Sequence, residues 1–185
     1  MKKNGLTIRN YRPSDLTALV ALINEADAVD KLERATTLEQ MGHELSFPTV
    51  HPERDWFLAW QGERLVGYTD LYFREGGEQT DSVLYCWGVV HPDLRRCGVG
   101  QRLLVAAYGR ATEYGAGMNG SQAYLNCVAR DVELDRQTLY RGFGMESVRY
   151  FVNLARPMNG DLPPVRVPPG IRLRTFDPDQ DLETV

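Results

Sequence analysis

The sequence predicts an α/β (α+β) fold, a mixed and mostly antiparallel sheet flanked by helices, in the order β-α-α-β-β-β-α-β-α-β. Three observations predict it. Apolar segments at residues 56–60, 64–73 and 83–90 follow one another with glycine-bearing breaks, as in an antiparallel meander. The third segment runs into a two-glycine turn, Arg95–Gly100, and then into a helical apolar pattern from Leu103. Helical spacing also recurs before the meander and after residue 133.

In chain order, Leu6–Tyr11 alternates like a strand and is stopped by Pro13. Ser14 suits the N-cap of a helix with Leu16, Leu19, Val20, Leu22 and Ile23 on its apolar face. A second helix is predicted over 37–45, with Thr37 capping and Glu39 in the first turn. Prolines make 47–52 a loop, and Gly62 turns a hairpin between the first two meander strands. The helix after the glycine turn should run to about Tyr114 and end at Gly115. A strand over 123–128, a helix over 133–140 and a last strand over 148–154 complete the pattern.

The chain has 185 residues, 43% hydrophobic and 25% charged, with a formal net charge of −4. That length buries one core, and the acidic balance argues against a nucleic-acid partner. No apolar run approaches a membrane span, and Met1–Gly5 leads into a strand rather than a signal peptide. Cys86, Cys97 and Cys127 are widely spaced, which predicts reduced thiols in a cytoplasmic protein and no metal site.

The turn is the most informative stretch. Glycines at 98 and 100 let the backbone curl so that amides face the positive end of the following helix, a cradle for phosphate. Arg95, Arg96 and Arg102 add positive charge around it. Gln101 and Arg102 stand where a Walker loop needs lysine and serine or threonine, and Leu103 stands where a dinucleotide fingerprint needs its third glycine. An ordinary βα turn with arginines for solubility is the alternative.

The R-x-x-G-x-G spacing after Val89, Val90, His91 and Pro92 resembles motif A of the GNAT acetyltransferase superfamily. The element order matches that fold too, over roughly residues 6–156. The resemblance implies acetyl-coenzyme A as cofactor, its pyrophosphate held by Arg95, Arg96, Cys97, Gly98, Val99, Gly100, Gln101 and Arg102. It implies that the backbone of Val89 and Val90 holds the pantetheine arm like an added strand, with an amide near Val89 polarising the thioester. Leu139–Met145 resembles the family's L-Y-x-x-x-G-F signature with Met145 in place of phenylalanine, which implies that Tyr140 protonates the leaving thiolate. A phenol of pKa ~10 suits that proton transfer; a packed amphipathic tyrosine is the alternative.

Two further positions depart from the family pattern. Glu133 stands where an asparagine is usual, leaving Asp131 as the candidate contact to the pantetheine arm. Leu84 stands where some relatives carry a glutamate base, so Asp70, Glu78, Tyr85, His91 and ordered water all remain candidates for proton removal. Cys97 lies at the pyrophosphate end, away from the chemistry, although its helix N-terminus and arginines favour a reactive thiolate. Trp56, Trp60, Tyr72, Phe73 and Tyr85 are meander core, one or two of them lining an acceptor pocket roofed by the first two helices.

Past Pro157 the chain turns to linker chemistry over 158–170 and then restarts. Ile8–Ser14 is echoed by Leu173–Asp179, and Asp15–Leu16 by Asp181–Leu182 one residue later. The expected organisation is an acetyltransferase domain over 1–157, a Pro/Gly linker over 158–170 and the start of a truncated second repeat over 171–185. The function expected is direct acetyl transfer from acetyl-coenzyme A to a primary amine of a small molecule or an amino terminus, with no nucleic acid or membrane involved. The alternative is a silent copy that binds coenzyme A or serves as a structural module in a tandem protein. The apolar tail also predicts a homodimer formed through residues beyond Pro164.

Overall fold

The structure, a computed structural model, describes residues 5–32, 34–74, 81–116, 123–161, 164 and 166–181. Residues 1–146 make one compact unit and 147–185 a second, taken separately below.

In the first unit the meander forms as its alternation demands. β1 (Leu6–Asn10), β2 (Trp56–Gln61), β3 (Arg64–Arg74) and β4 (Ser82–Val90) pair antiparallel in that order. β5 (Ala123–Cys127) then adds parallel to β4, giving a five-stranded mixed sheet. α1 (Leu16–Val29) and α2 (Leu38–Leu45) cover one face, where Leu19, Ile23 and Met41 pack with Trp56, Leu58 and Tyr68. A short helix, α3 (Pro52–Asp55), leads into β2. On the other face α4 (Val99–Ala116) sets Val99 and Leu103 against Ala59 and Val66, and Leu104 and Ala107 against Leu71 and Cys86. α5 (Leu134–Gly142) packs Leu139 and Tyr140 against this second group.

Local chemistry explains the helix starts. Thr37 caps α2 through a reciprocal pair with Gln40: its hydroxyl accepts the Gln40 amide at 3.1 Å, and its own amide donates to the Gln40 side chain at 3.0 Å. Before α1 the expected cap, Ser14, is displaced by Asp15. That buried carboxylate accepts the Arg12 amide at 2.8 Å and a two-pronged bond from Arg9 at 2.6 and 2.8 Å. Asp15 thus stands at the N-cap position without accepting a bond from an α1 amide, its carboxylate being taken up by the charge-assisted arginine fork. The Asn24 side chain bonds both backbone groups of Thr36, at 2.9 and 2.8 Å, and so fixes the connection that sets α2 over the sheet.

Two expectations are corrected. α4 runs on to Ala116, so Gly115 is inside the helix rather than its cap. The last strand expected over 148–154 does not form: these residues join no ladder, and Val148, Tyr150, Phe151, Val152 and Leu154 are exposed. Alternation marks which side chains a strand would bury, but a strand exists only where backbone partners complete it.

In the second unit, Pro178–Asp181 forms a single helical turn, α6. Arg174 forks onto Asp181, one bond at 2.7 Å, and the Asp177 amide donates to the same carboxylate at 2.7 Å. This repeats, bond for bond, the Arg9–Asp15–Arg12 clasp that opens α1, with one residue added between arginine and aspartate.

Candidate active site

The site is built where β4 and β5 part. Their parallel register runs from Ser82↔Ala123 to Cys86↔Cys127; β5 ends there, while β4 continues to Val90. The result is a fork one strand wide, open over Trp87–Val90. At its base Cys86 and Cys127 lie side by side, and the Thr69 hydroxyl lies 3.2 Å from Cys86 Sγ. Hydrogen bonding to Cys86 and burial push the Cys127 thiol up.

On the opposite edge of β4 the ladder with β3 is completed by side chains. The Thr69 hydroxyl donates to the Trp87 carbonyl at 2.6 Å, and the Trp87 amide donates to Asp70 Oδ1 at 3.1 Å. Gly88 is required at this place: a Cβ there would meet the Tyr68 carbonyl oxygen at 2.5 Å.

Asp70 shares the α1/α2 face with Tyr68 and Tyr72, and it lines a cleft of about 380 Å³ with Glu44, Tyr72, Tyr85, Trp87 and Arg34. Burial drives its carboxyl from 3.8 up to about 7, against the opposing pull of the Trp87 amide and with help from the Glu44 charge. Such a group is half ionised near neutrality, as a proton acceptor should be. Arg34 is held by Asp27 at 2.6 and 3.0 Å and rests over the Trp87 ring.

Tyr140 is on the other side of the sheet, in the group containing Cys86, Cys127 and Leu104. Burial raises its phenol above the ordinary value, and Arg136 pulls it down. Asp70 and Tyr140 therefore flank the fork from opposite faces.

The glycine turn leads out of β4. Arg96 and Gly98 adopt left-handed backbone, φ 61° and 84°, curling the chain just before α4. The first helical bond runs from the Arg102 amide to the Gly98 carbonyl, so the amides of Val99, Gly100 and Gln101 precede any helical acceptor. Gly98 and Cys97 are exposed, and a side chain at Gly98 would point into open space. Arg95 is not the mobile charge expected from sequence. It forks onto Asp30 at 2.7 and 2.8 Å and donates to the Val90 carbonyl at 3.3 Å, locking the turn to the end of α1. Arg96 reaches Asp135 at 2.9 Å on the surface, and Arg102 is exposed on the first turn of α4.

Val89 is buried opposite Tyr68, and Val90 is partly buried at the mouth of the fork. Asp131 is exposed and bonds the Val132 amide, while Glu133 accepts the Arg130 amide at 2.7 Å. Among the other candidate bases, His91 is buried with Nε2 2.9 Å from Glu25 and Nδ1 accepting the Asp93 amide, a strand-end role. Tyr85 lines the cleft, and Glu78 lies outside the described residues. Sequence reasoning missed Arg136, which bridges the fork, although its place four residues before Tyr140 puts both on one helix face.

Comparison with known proteins agrees with this architecture. A family model described as "Acetyltransferase (GNAT) domain" matches residues 52–146. Mycothiol acetyltransferase of Thermobispora bispora is 33% identical over 175 residues, 92% of this chain and 51% of that protein. The chain thus spans about half the length of the curated relatives it matches. Among solved structures, a GCN5-related N-acetyltransferase from Sphaerobacter thermophilus aligns with TM-score 0.66 at 18% identity, over 75% of this chain and 42% of that one. The protein yncA from Salmonella typhimurium, solved with its cofactor acetyl-CoA, aligns with TM-score 0.60 at 16% identity, over 76% of this chain and 79% of that one. The chain belongs to the GNAT acetyltransferase family.

Proposed function

We propose that this chain is an acetyl-CoA-dependent N-acetyltransferase acting on a primary amine of a small molecule or an amino terminus. The observation that carries it is a carboxyl held near neutral pKa at the head of a cleft, beside a sheet fork whose far side presents a partly buried phenol. The residues fit the cofactor: β5 ends at Cys127 and leaves β4 without a strand partner on that side over Trp87–Val90, where Arg136 and Arg95 side chains take the Gly88 and Val90 carbonyls, and the left-handed turn at Gly98 offers amides to a pyrophosphate. Gly98–Arg102 would hold the pyrophosphate, and Val89 and Val90 the pantetheine arm. Acetyl-CoA supplies an acetyl thioester, whose C–S bond breaks as the acceptor's N–C bond forms. A cationic acceptor first loses one proton to solvent and attacks as the neutral amine. Asp70, entering as carboxylate, takes the second amine proton at Oδ as the N–C bond forms and returns it to solvent, while Tyr140 gives its phenolic proton to the departing sulfur and recovers one from solvent. The cleft's Glu44 and Asp70 favour a cationic acceptor.

The repeated arginine–aspartate clasp and the double length of the relatives support reading 171–185 as the start of a second copy of the fold. Three free cysteines support a cytoplasmic setting. Calorimetric titration with acetyl-CoA, followed by thiol release over an amine panel, tests the proposal. Binding with amine-dependent thiol release is expected. Binding without turnover points to a silent copy that binds coenzyme A, and no binding leaves only the structural module.

A further inference from the structure

The fork holds one cation that the function above does not use. Arg136 sits on α5, one turn before Tyr140, and its side chain is 18% exposed. Its Nη2 donates to the Gly88 carbonyl at 3.1 Å, its guanidinium lies 4.9 Å from the Trp87 ring centre, and Glu133 approaches at 3.5 Å. Nη1 is buried and has no hydrogen-bond partner among the described residues. A buried guanidinium N–H left unpaired is costly, and such orphans mark places where a ligand completes the bonding. Arg136 reaches from α5 to Gly88 and Trp87, so its guanidinium borders the stretch of β4 that β5 leaves unpaired.

We propose that Arg136 is a catalytic cation, its Nη1–H serving the negative charge that acetyl transfer places on the departing sulfur. This rests on the acetyltransferase function proposed above. When the C–S bond breaks, its electron pair stays on sulfur; Arg136 stabilises that anion until the Tyr140 proton reaches it. Preorganised donors of this kind act where charge develops and need no rearrangement. The groups around Arg136 agree. Tyr140 on α5, Cys86 on β4, Cys127 on β5 and Tyr68 on β3 are all drawn toward their anionic forms by it, while Glu133 is its only close counter-charge among the described residues. Asp70 is paired across the ladder from Trp87 and shares its face, and its carboxylate takes the Trp87 amide rather than the guanidinium.

The test compares wild type with Arg136→Gln and Arg136→Lys, each checked for an unchanged melting temperature. Arg136→Gln should lower turnover by about a hundredfold while acetyl-CoA affinity changes less than about threefold. A second readout needs no turnover: calorimetric affinities for coenzyme A and for desulfo-coenzyme A from about pH 7 to about pH 9. In wild type the preference for coenzyme A should grow with pH, as its thiolate gains a cationic partner. It should stay flat in Arg136→Gln and persist in Arg136→Lys. If both variants match wild type in turnover and preference, or if lysine fails as badly as glutamine, Arg136 is a clip on Gly88 and the inference falls. If wild type binds acetyl-CoA and turns over normally in that case, the acetyltransferase proposal stands without it. If wild type binds no acetyl-CoA, the proposed function falls first and takes this inference with it.

Discussion

The Trp87 amide donates to Asp70 at 3.1 Å, a side-chain bond standing where a sheet ladder would otherwise use backbone. This contact fixes the Asp70 carboxylate at the head of the cleft while burial holds its pKa near 7. Two consequences separate cleanly. As a base, Asp70 must be ionised, so kcat/KM should fall as pH drops below about 7. Asp70→Asn should cost about a hundredfold or more in turnover and remove that acid limb.

Stability should move the other way. The folded-state pKa is raised, so between 3.8 and about 7 the native protein keeps a proton that the unfolded chain has released. Stability therefore falls as pH rises through that window. Asp70→Asn, which can still accept from the Trp87 amide, should flatten this slope and melt higher than wild type above about pH 7. A melting curve for the variant that tracks wild type at every pH would mean that Asp70 is solvated and not a base of this kind.

Tyr140→Phe keeps the ring packed against Leu104 and Cys127 and removes only the hydroxyl. Turnover should drop by about a hundredfold with acetyl-CoA affinity nearly unchanged. Steady-state kinetics beside calorimetry checks both numbers, and full activity would leave Tyr140 a packing residue.

Gly98→Glu should abolish acetyl-CoA binding. The new side chain would leave the turn into open space, and its carboxylate, beside the free amides of Val99–Gln101, would repel a pyrophosphate. Because φ at Gly98 is 84°, any side chain there is strained, so Gly98→Ala serves as the control. Alanine should weaken binding only modestly; thermal shift with acetyl-CoA distinguishes the two. Equal binding by Gly98→Glu and wild type would place the phosphate elsewhere.

Much of this architecture is legible in sequence because alternation and glycine placement act locally. The meander strands, the Thr37 cap and the βα turn each follow from a few adjacent residues. What needed the structure depends on register. Asp70 meets Trp87 only through the β3–β4 pairing, and Arg95 meets Asp30 only once α1 packs beside the end of β4. Asp15 displaced Ser14 because Arg9 reaches it across the turn, a contact invisible to capping rules that consider one residue at a time. Residues 148–154 carry a strand's alternation without a strand, since apolar pattern does not supply a backbone partner.

Those exposed residues and the tail bear on assembly. Phe151 and Leu154, and beyond the linker Ile171 and Leu173, leave apolar surface uncovered. The full chain should dimerise, and a version ending at Pro157 should do so less. Light scattering at matched concentration decides; two monomers would deny the segment beyond 157 any part in assembly.

The most direct test of the account is amine-dependent release of coenzyme A thiol by the wild-type chain, measured across pH beside Asp70→Asn and Tyr140→Phe. The account requires release that depends on a primary amine, rises to a plateau above about pH 7, and collapses in both variants while acetyl-CoA still binds. Amine-dependent release at wild-type rate in both variants would contradict the assignment of base and acid at this fork. Binding with no release from wild type would contradict catalysis by the chain itself.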